Sequence, residues 1–285
     1  MDIVIEGNRI KEVRPHDASL HTGNVIDAGN RAVIPGLFEM HSHQSITVGE
    51  KLGRTWLAFG VTSVRDPGSD PYEGAERREA WGSGQRPGPR IFFTGRLMDG
   101  NRVYYAVAEG LATDEHLDLA LERARVLEYD LIKAYVRLPD TMQKKIAAAA
   151  HQMGVPTSSH EIWPAAGYGM DAVEHNGATS RRGYSPKTTA LSRSYDDVIQ
   201  ILAQSRMNYT PTLILSGLLF HLAERPALLD NRQFVAIYGE QAAQALRDRA
   251  GTNRSAVLGN AVAAQGKTAL AVLRAGGRIT PGTDG

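Results

Sequence analysis

Between Ile34 and Gly285, short apolar or β-branched runs alternate with stretches of helical periodicity, and this alternation constrains the fold more than any other feature. Eight runs qualify as strands: Gly36–Met40, Val61–Arg65, Arg90–Thr94, Leu131–Val136, Val155–Ser159, Ala172–Glu174, Met207–Pro211 and Gly277–Pro281. Several are continuous apolar or β-branched runs, as suits strands covered on both faces. Helix signals lie between them. Thr113 or Asp114 opens a helix in which Leu117, Ala120, Leu121 and Ala124 recur at helical spacing. Asp140 reads as a cap with Gln143 as its capping-box partner, and Gly154 as the stop. Ser194 reads as another cap, with Asp197 in the first turn.

Eight βα units in about 250 residues is the size of a (β/α)8 barrel. The alternative, an open doubly wound sheet, lacks its G-x-G-x-x-G helix opening here. The eighth run reaches the end of the sequence with no eighth helix after it. Residues 35–285 therefore read as a barrel truncated after its eighth strand, a piece of a longer protein. The first 34 residues are of a different kind. Asp2–Glu6 and Arg9–Val13 flank a Gly7-Asn8 turn signal, and Val25–Ala28 and Ala32–Ile34 flank Gly29-Asn30. Residues 1–34 are expected to form a partial β-sandwich.

Composition narrows the partners. With 32 basic and 31 acidic residues the net charge is +1, which argues against nucleic acid or an anionic membrane. No apolar run of about 18 residues offers a transmembrane span, and the N-terminus shows no signal peptide. The chain has no cysteine, so it has neither disulfides nor thiolate chemistry, and any metal must be held by His, carboxylates or something unusual. A small-molecule substrate is the partner that remains. Compartment is left open, and so is assembly into a homo-oligomer.

The chemistry concentrates at the strand ends. His41-Ser42-His43 follows the first strand, and side chains two apart point the same way. Taken alone, the pair could equally be two loop histidines. His160 closes the fifth strand, His175 the sixth and Asp284 the eighth, and a barrel gathers such ends at one mouth. Imidazole and carboxylate together suit zinc and related divalent ions. Lys133 lies inside the fourth strand among Leu131, Ile132 and Ala134. It either snorkels to water or is held neutral by burial; a neutral amine can react with carbon dioxide to give a metal-bridging carbamate. His16, His21, His116, His151 and His221 read as surface or capping residues. Asp66 reads as a turn former before Pro67-Gly68, and Glu161 as lying behind His160. Thr210 and Thr212 read as satisfying backbone groups on a strand that continues to Leu215.

Pro35-Gly36-Leu37-Phe38-Glu39-Met40-His41-Ser42-His43 resembles the PGL-x-D-x-H-x-H signature that opens the barrel of the amidohydrolase superfamily, with Glu39 in place of the usual Asp. The stretch from Ser158 to Pro211, with His160-Glu161, Val173-Glu174-His175-Asn176 and Arg181-Arg182-Gly183-Tyr184-Ser185-Pro186, is similar to the prolidase-like and imidazolonepropionase-like branch, including forms that bacteria fuse behind a β-propeller. The resemblance implies two divalent metal ions, zinc foremost. His41, His43 and Asp284 would hold the first, His160 and His175 the second, and Lys133 would bridge them as its carbamate. It also implies a C-terminal helix and further strands beyond Asp284.

The expected reaction is hydrolysis of an amide bond, for instance of a dipeptide or N-acyl amino acid. A bridging hydroxide would attack, and Asp284 would move the proton. Tyr135, Arg137 and Tyr184 are the candidate substrate-binding residues. Two other readings stay open: a mononuclear deaminase or cyclic-amidine hydrolase, and a non-catalytic barrel fragment.

Overall fold

The computed structural model describes all residues except 22, 45–48, 176–188, 190–192 and 253–255, and the side chains of 216 and 256–258 are not described either. The chain forms two compact units, Met1–Pro35 and Gly36–Gly285. In the first, β1 (Asp2–Glu6) and β2 (Arg9–Arg14) pair antiparallel around a tight turn in which Gly7 takes φ 63°. The strands expected at Val25–Ala28 and Ala32–Ile34 do not form. Their alternation is real, but a strand needs a ladder partner and a buried face; Ile26 is 93% exposed and Ile34 68%. None of the described residues of this unit is buried.

The second unit carries all eight strands expected from the sequence, mostly trimmed at their ends, with helices between them. In order these are β3 (Leu37–Glu39), α1 (Lys51–Ala58), β4 (Val61–Asp66), α2 (Pro71–Gly82) and β5 (Arg90–Phe93). Two short strands that the sequence did not signal follow, β6 (Leu97–Gly100) and β7 (Ala108–Leu111). Then come α3 (Asp114–Val126), β8 (Ile132–Lys133), α4 (Asp140–Gln152), β9 (Thr157–Ser159) and β10 (Ala172–Glu174). The chain continues through α5 (Asp196–Gln204), β11 (Asn208–Thr210), α6 (Leu213–Glu224), α7 (Arg232–Tyr238), α8 (Glu240–Gly251), α9 (Ala256–Arg274) and β12 (Arg278–Ile279).

All the pairings described in this unit are parallel, most of them joined by helical crossovers, β6 and β7 by the loop at 101–107. The strands lie in ladders ordered β3-β4-β5, β6-β7 and β12-β11-β10-β9-β8. The ladders are not closed into one ring. Isolated hydrogen bonds join their edges: Met40 N donates to Pro281 O at 2.9 Å and Asp284 N to His41 O at 2.6 Å, Asp130 N donates to Phe93 O at 2.9 Å, and Tyr135 N to Met98 O at 2.8 Å. One main core, including Val64, Ile91, Phe93, Ile132, Val173 and Tyr209, lies between strands and helices. Each such apolar side chain contributes about 1.5–3 kcal/mol when fully buried. Gly74 lets α2 lie close on β5, since a Cβ there would stand 2.4 Å from a Phe93 ring carbon. No helix among the described residues is long and apolar enough to cross a membrane.

Local details depart from the sequence reading. The run Met207–Leu215 is not one strand; β11 stops at Thr210, Pro211 cannot donate to a ladder, and α6 begins at Leu213. A short apolar run has no period that separates a strand from a buried helix. Thr113 does cap α3, accepting from His116 N. Asp140 does not cap α4: Pro139 holds the cap position, and Gln143 donates instead to Leu138 O and Glu161 Oε2. Ser194 likewise stands outside α5, whose cap position is Tyr195.

Candidate metal centre

A cavity of about 510 Å³ opens where the strands of the second unit end, and it is lined by His41, His43, Lys133, His160, His175 and Asp284. These residues come from the ends of five parallel strands or the residues just beyond them, His41 and His43 sharing one, so packing of the strands and not the local sequence brings the five positions together. The backbone is tense at the same place. His175, Thr212 and Asp284 follow β10, β11 and β12, and all three adopt φ between 44° and 59°. Left-handed backbone at non-glycine residues costs about 1–3 kcal/mol each and gathers at functional sites. Here three neighbouring strand ends share it around one cavity.

His41, His43 and Asp284 converge most tightly, with one ligand atom from each within 4.8 Å of the others. His41 is 1% exposed, and its Nδ1 lies 2.6 Å from Glu174 Oε2. His43 Nδ1 lies 2.7 Å from Gly68 O. A carboxylate and a carbonyl can only accept, so both Nδ1 atoms carry the proton. In the neutral form each ring then turns its Nε2 lone pair inward. Asp284 Oδ1 stands 3.3 Å from His41 Nε2 and 3.5 Å from His43 Nε2. Acceptors facing acceptors require a cation or a proton between them, and this donor set fits a divalent metal.

The approach of Asp284 depends on its neighbours. Gly282 packs so near His41 that a Cβ would lie 2.8 Å from the His41 Cβ. Glu39 Oε1 accepts from both His41 N (2.7 Å) and Thr283 N (3.0 Å), tying the first strand end to the last. Burial pushes the Asp284 carboxyl up, but contact with His41 and the nearby His175 and His43 imidazoles outweighs it and holds the group below the ordinary carboxylate range.

Beneath these residues lies a carboxylate that sequence reasoning passed over. Glu174 is fully buried; it accepts from Arg65 Nη2 at 2.6 Å, from His41 and from Ser158 Oγ. Burial alone would raise its pKa, yet Arg65, Lys133 and His41 outweigh it and hold the group well below the usual value. In the sequence it looks like the end of an apolar strand, and no local signal marks it. Lys133 is 1% exposed, and among the described residues its Nζ has no hydrogen-bond partner, with Glu174 Oε1 3.8 Å away. Burial, opposed by Glu174, brings its pKa down to about 8. A buried amine aimed at the cavity, and easily neutralised, suits carbamate formation.

On the other side, the His175 ring stands edge-on to His160 at 4.9 Å and lies 4.5 Å from His41. Its Nδ1 meets Thr212 Oγ1, so Thr212 orients an imidazole in addition to turning the backbone, and Thr210 meets Thr280 Oγ1 at 2.8 Å. The reading of both threonines as backbone partners is corrected accordingly. Burial lowers the pKa of His175 to about 2, which keeps the ring neutral. Asp66 is also buried, accepting from Gln44 N and Gly68 N; it is a turn former, and it shapes the loop whose carbonyl holds His43.

Tyr135 lines the cavity beside His160, their ring centroids 4.6 Å apart. Arg137 does not line it. Its guanidinium donates to Arg102 O and Val103 O and lies over the Tyr104 ring, so it braces a wall of the cavity from behind. That loop brings Tyr105 to the cavity, while Asp99 anchors it by accepting from Tyr104 N and Arg137 N. Tyr105 and Gln265 are lining residues without a sequence signal. Tyr184 and the Arg181–Pro186 motif lie outside the described residues.

No family model and no curated protein matches the sequence. Solved structures do match. A Xaa-Pro dipeptidase with methionine bound in its active site superposes with a TM-score of 0.55 at 17% identity, covering 88% of this chain and 66% of that one. An ochratoxinase from A. niger gives 0.56 at 16% identity, with 88% and 63% covered. Bottromycin amidohydrolase gives 0.59 at 19% identity, with 88% and 58% covered. The chain thus spans less than two thirds of the length of these proteins. The likeness defines the class of fold: an α/β arrangement of parallel sheets similar to the amidohydrolase barrels, as the opening motif implied.

Proposed function

We propose that this chain carries the active site of a metal-dependent hydrolase cleaving an amide C–N bond in a small molecule. The proposal takes the eight parallel strands as a (β/α)8 barrel, with a partial β-sandwich at residues 1–34 before it. His41, His43 and Asp284 would hold one divalent ion and His160 and His175 a second, with Lys133 shared between them as its carbamate. Zinc suits these donors. The observation that carries the reading is the trio of acceptors, two Nε2 lone pairs and a carboxylate, facing one another at 3.3–3.5 Å with their outer atoms already pinned.

When bound, the metals would supply a water of lowered pKa and polarise the scissile carbonyl. Asp284, ionised at neutral pH, accepts the proton released by the attacking water and delivers it to the leaving amine. Glu174 and Gly68 O keep the two imidazoles in the tautomer that leaves Nε2 available. Tyr105 and Tyr135 form the wall against which the substrate packs. A dipeptide or an N-acyl amino acid is the substrate class we favour, in keeping with the dipeptidase and amidohydrolase among the similar structures.

Because His41, His43 and Asp284 form the one compact donor group of this unit among the described residues, a mononuclear deaminase or cyclic-amidine hydrolase is the second reading. Elemental analysis of protein expressed with zinc and bicarbonate separates the two, combined with a panel of dipeptides and N-acyl amino acids. About two metals in this site and turnover on the panel support the binuclear hydrolase. One metal supports the second reading, and a metal-free protein without turnover overturns both.

A further inference from the structure

We propose a separate divalent-metal site in the N-terminal unit, formed by Asp2, His16 and His21. The three side chains come from the first residue of β1, the segment just past β2 and the end of a short 3-10 turn, Ala18–Leu20. Asp2 Oδ1 lies 2.8 Å from His16 Nδ1, and Asp2 Oδ2 lies 3.2 Å from His21 Nε2. The two rings stand 5.3 Å apart at 60°, and one ligand atom from each of the three residues lies within 4.8 Å of the others.

Zinc bonds to nitrogen and oxygen of about 2.0–2.1 Å put tetrahedral neighbours about 3.3–3.4 Å apart. The observed carboxylate-to-imidazole spacings need only a few tenths of an ångström of opening to admit an ion. Two imidazoles and one carboxylate, with a coordination position left to water, suit zinc, copper or nickel better than magnesium or calcium.

The scaffold holds this arrangement without help from a metal. Asp17 caps the turn, accepting from Ser19 N at 2.9 Å and Ser19 Oγ at 2.6 Å, which sets the spacing of the flanking histidines. The Asp17 backbone N–H in turn donates to Asp2 Oδ2 at 3.1 Å, aiming the carboxylate. The Asp2 side chain is only 17% exposed, whereas His16 remains open to solvent, so an ion has a way in.

The unit also has a use for such a clip. None of its described residues is buried, and Ile5, Ile10 and Val13 are all exposed. The sequence has no cysteine, so no disulfide joins the hairpin to the segment that follows it, and a bound metal is another way to make such a link. An ion bound here fastens the start of the hairpin to the segment that follows it.

The test uses the full chain and zinc chloride. Wild type, His16→Ala/His21→Ala and His41→Ala/His43→Ala are each dialysed to equilibrium with zinc and analysed for metal. The His16/His21 variant is expected to lose one equivalent while keeping its hydrolytic activity, and the His41/His43 variant to retain that equivalent. Equal zinc content in wild type and the His16/His21 variant overturns the proposal, leaving the cluster as a hydrogen-bonded clasp. Asp2→Asn, which keeps an acceptor but removes the charge, guards against misfolding of the double variant. It should weaken zinc binding at this site at least about tenfold with an unchanged circular dichroism spectrum, and unchanged affinity would equally overturn the assignment.

Discussion

Two groups in this molecule offer the same donors, two imidazoles and one aspartate, in opposite settings. His41, His43 and Asp284 come from the first and last strands of the second unit, and His41 is almost wholly buried. Asp2, His16 and His21 lie within the first 21 residues, where nothing is buried. In the cavity each histidine is pinned from behind by a third party, Glu174 or Gly68 O, so its Nε2 and the Asp284 carboxylate face inward unsatisfied by each other. In the N-terminal unit the aspartate itself contacts the histidine nitrogens, so an ion there would take the place of those hydrogen bonds. The contrast teaches that ligand type does not decide what a cluster does. An outer partner and a low dielectric leave the cavity's donors free for chemistry; the same donors near water are suited to a structural ion that fastens two segments together.

The largest expected effect breaks the first half of that contrast. Asp284→Asn should retain metal and lose about 100-fold or more in kcat, the range for loss of a general acid–base group. A kcat equal to wild type would remove Asp284 from proton transfer. Lys133→Ala should cost the cavity one of its two metals and most of its turnover; elemental analysis showing both metals retained sinks the carbamate bridge.

Glu174→Ala asks whether the outer partner matters as argued. It strands the Arg65 guanidinium and leaves His41 Nδ1 without its acceptor, so the folded state should lose about 3–5 kcal/mol in denaturant unfolding. A loss under about 1 kcal/mol would mean that the network is peripheral.

A smaller effect concerns acid. His175 has a pKa near 2 in the folded chain against 6.5 unfolded, so the unfolded chain takes up its proton first. The stability that this ring confers is complete above about pH 6.5 and is lost progressively as pH falls toward 2. Glu174, also depressed, adds to the loss below its ordinary 4.5. Metal-free protein should therefore unfold at lower urea at pH 5 than at pH 7.5, and equal midpoints would contradict the buried neutral imidazole. The smallest effect lies in the N-terminal cluster: His16→Ala/His21→Ala should leave kcat within about twofold, since neither residue lines the cavity.

Much of this site was legible in the sequence because period and punctuation are local. His41 and His43 announce themselves by their spacing after a strand, and Lys133 by its placement among Leu131, Ile132 and Ala134. The parallel alternation that placed eight strand ends together was equally readable, since a strand buried on both faces must look apolar along its length. Where the signal was ambiguous the reading failed. Val25–Ala28 has the alternation of a strand but no ladder to join, and Leu213–Leu215 is apolar enough for either element.

By itself, then, the sequence determined the eight strands that end around the cavity, the class of the fold and the chemical kinds of group that reach it, but neither β6 and β7 nor the absence of strands at 25–28 and 32–34. Only the tertiary structure decided that Glu174 holds His41, that Arg137 braces a loop and does not line the cavity, and that Asp2, His16 and His21 meet at all. The reason is physical. Burial periodicity is written in neighbours along the chain, whereas a hydrogen bond depends on a few tenths of an ångström between residues far apart in sequence, and that distance exists only after the chain has packed.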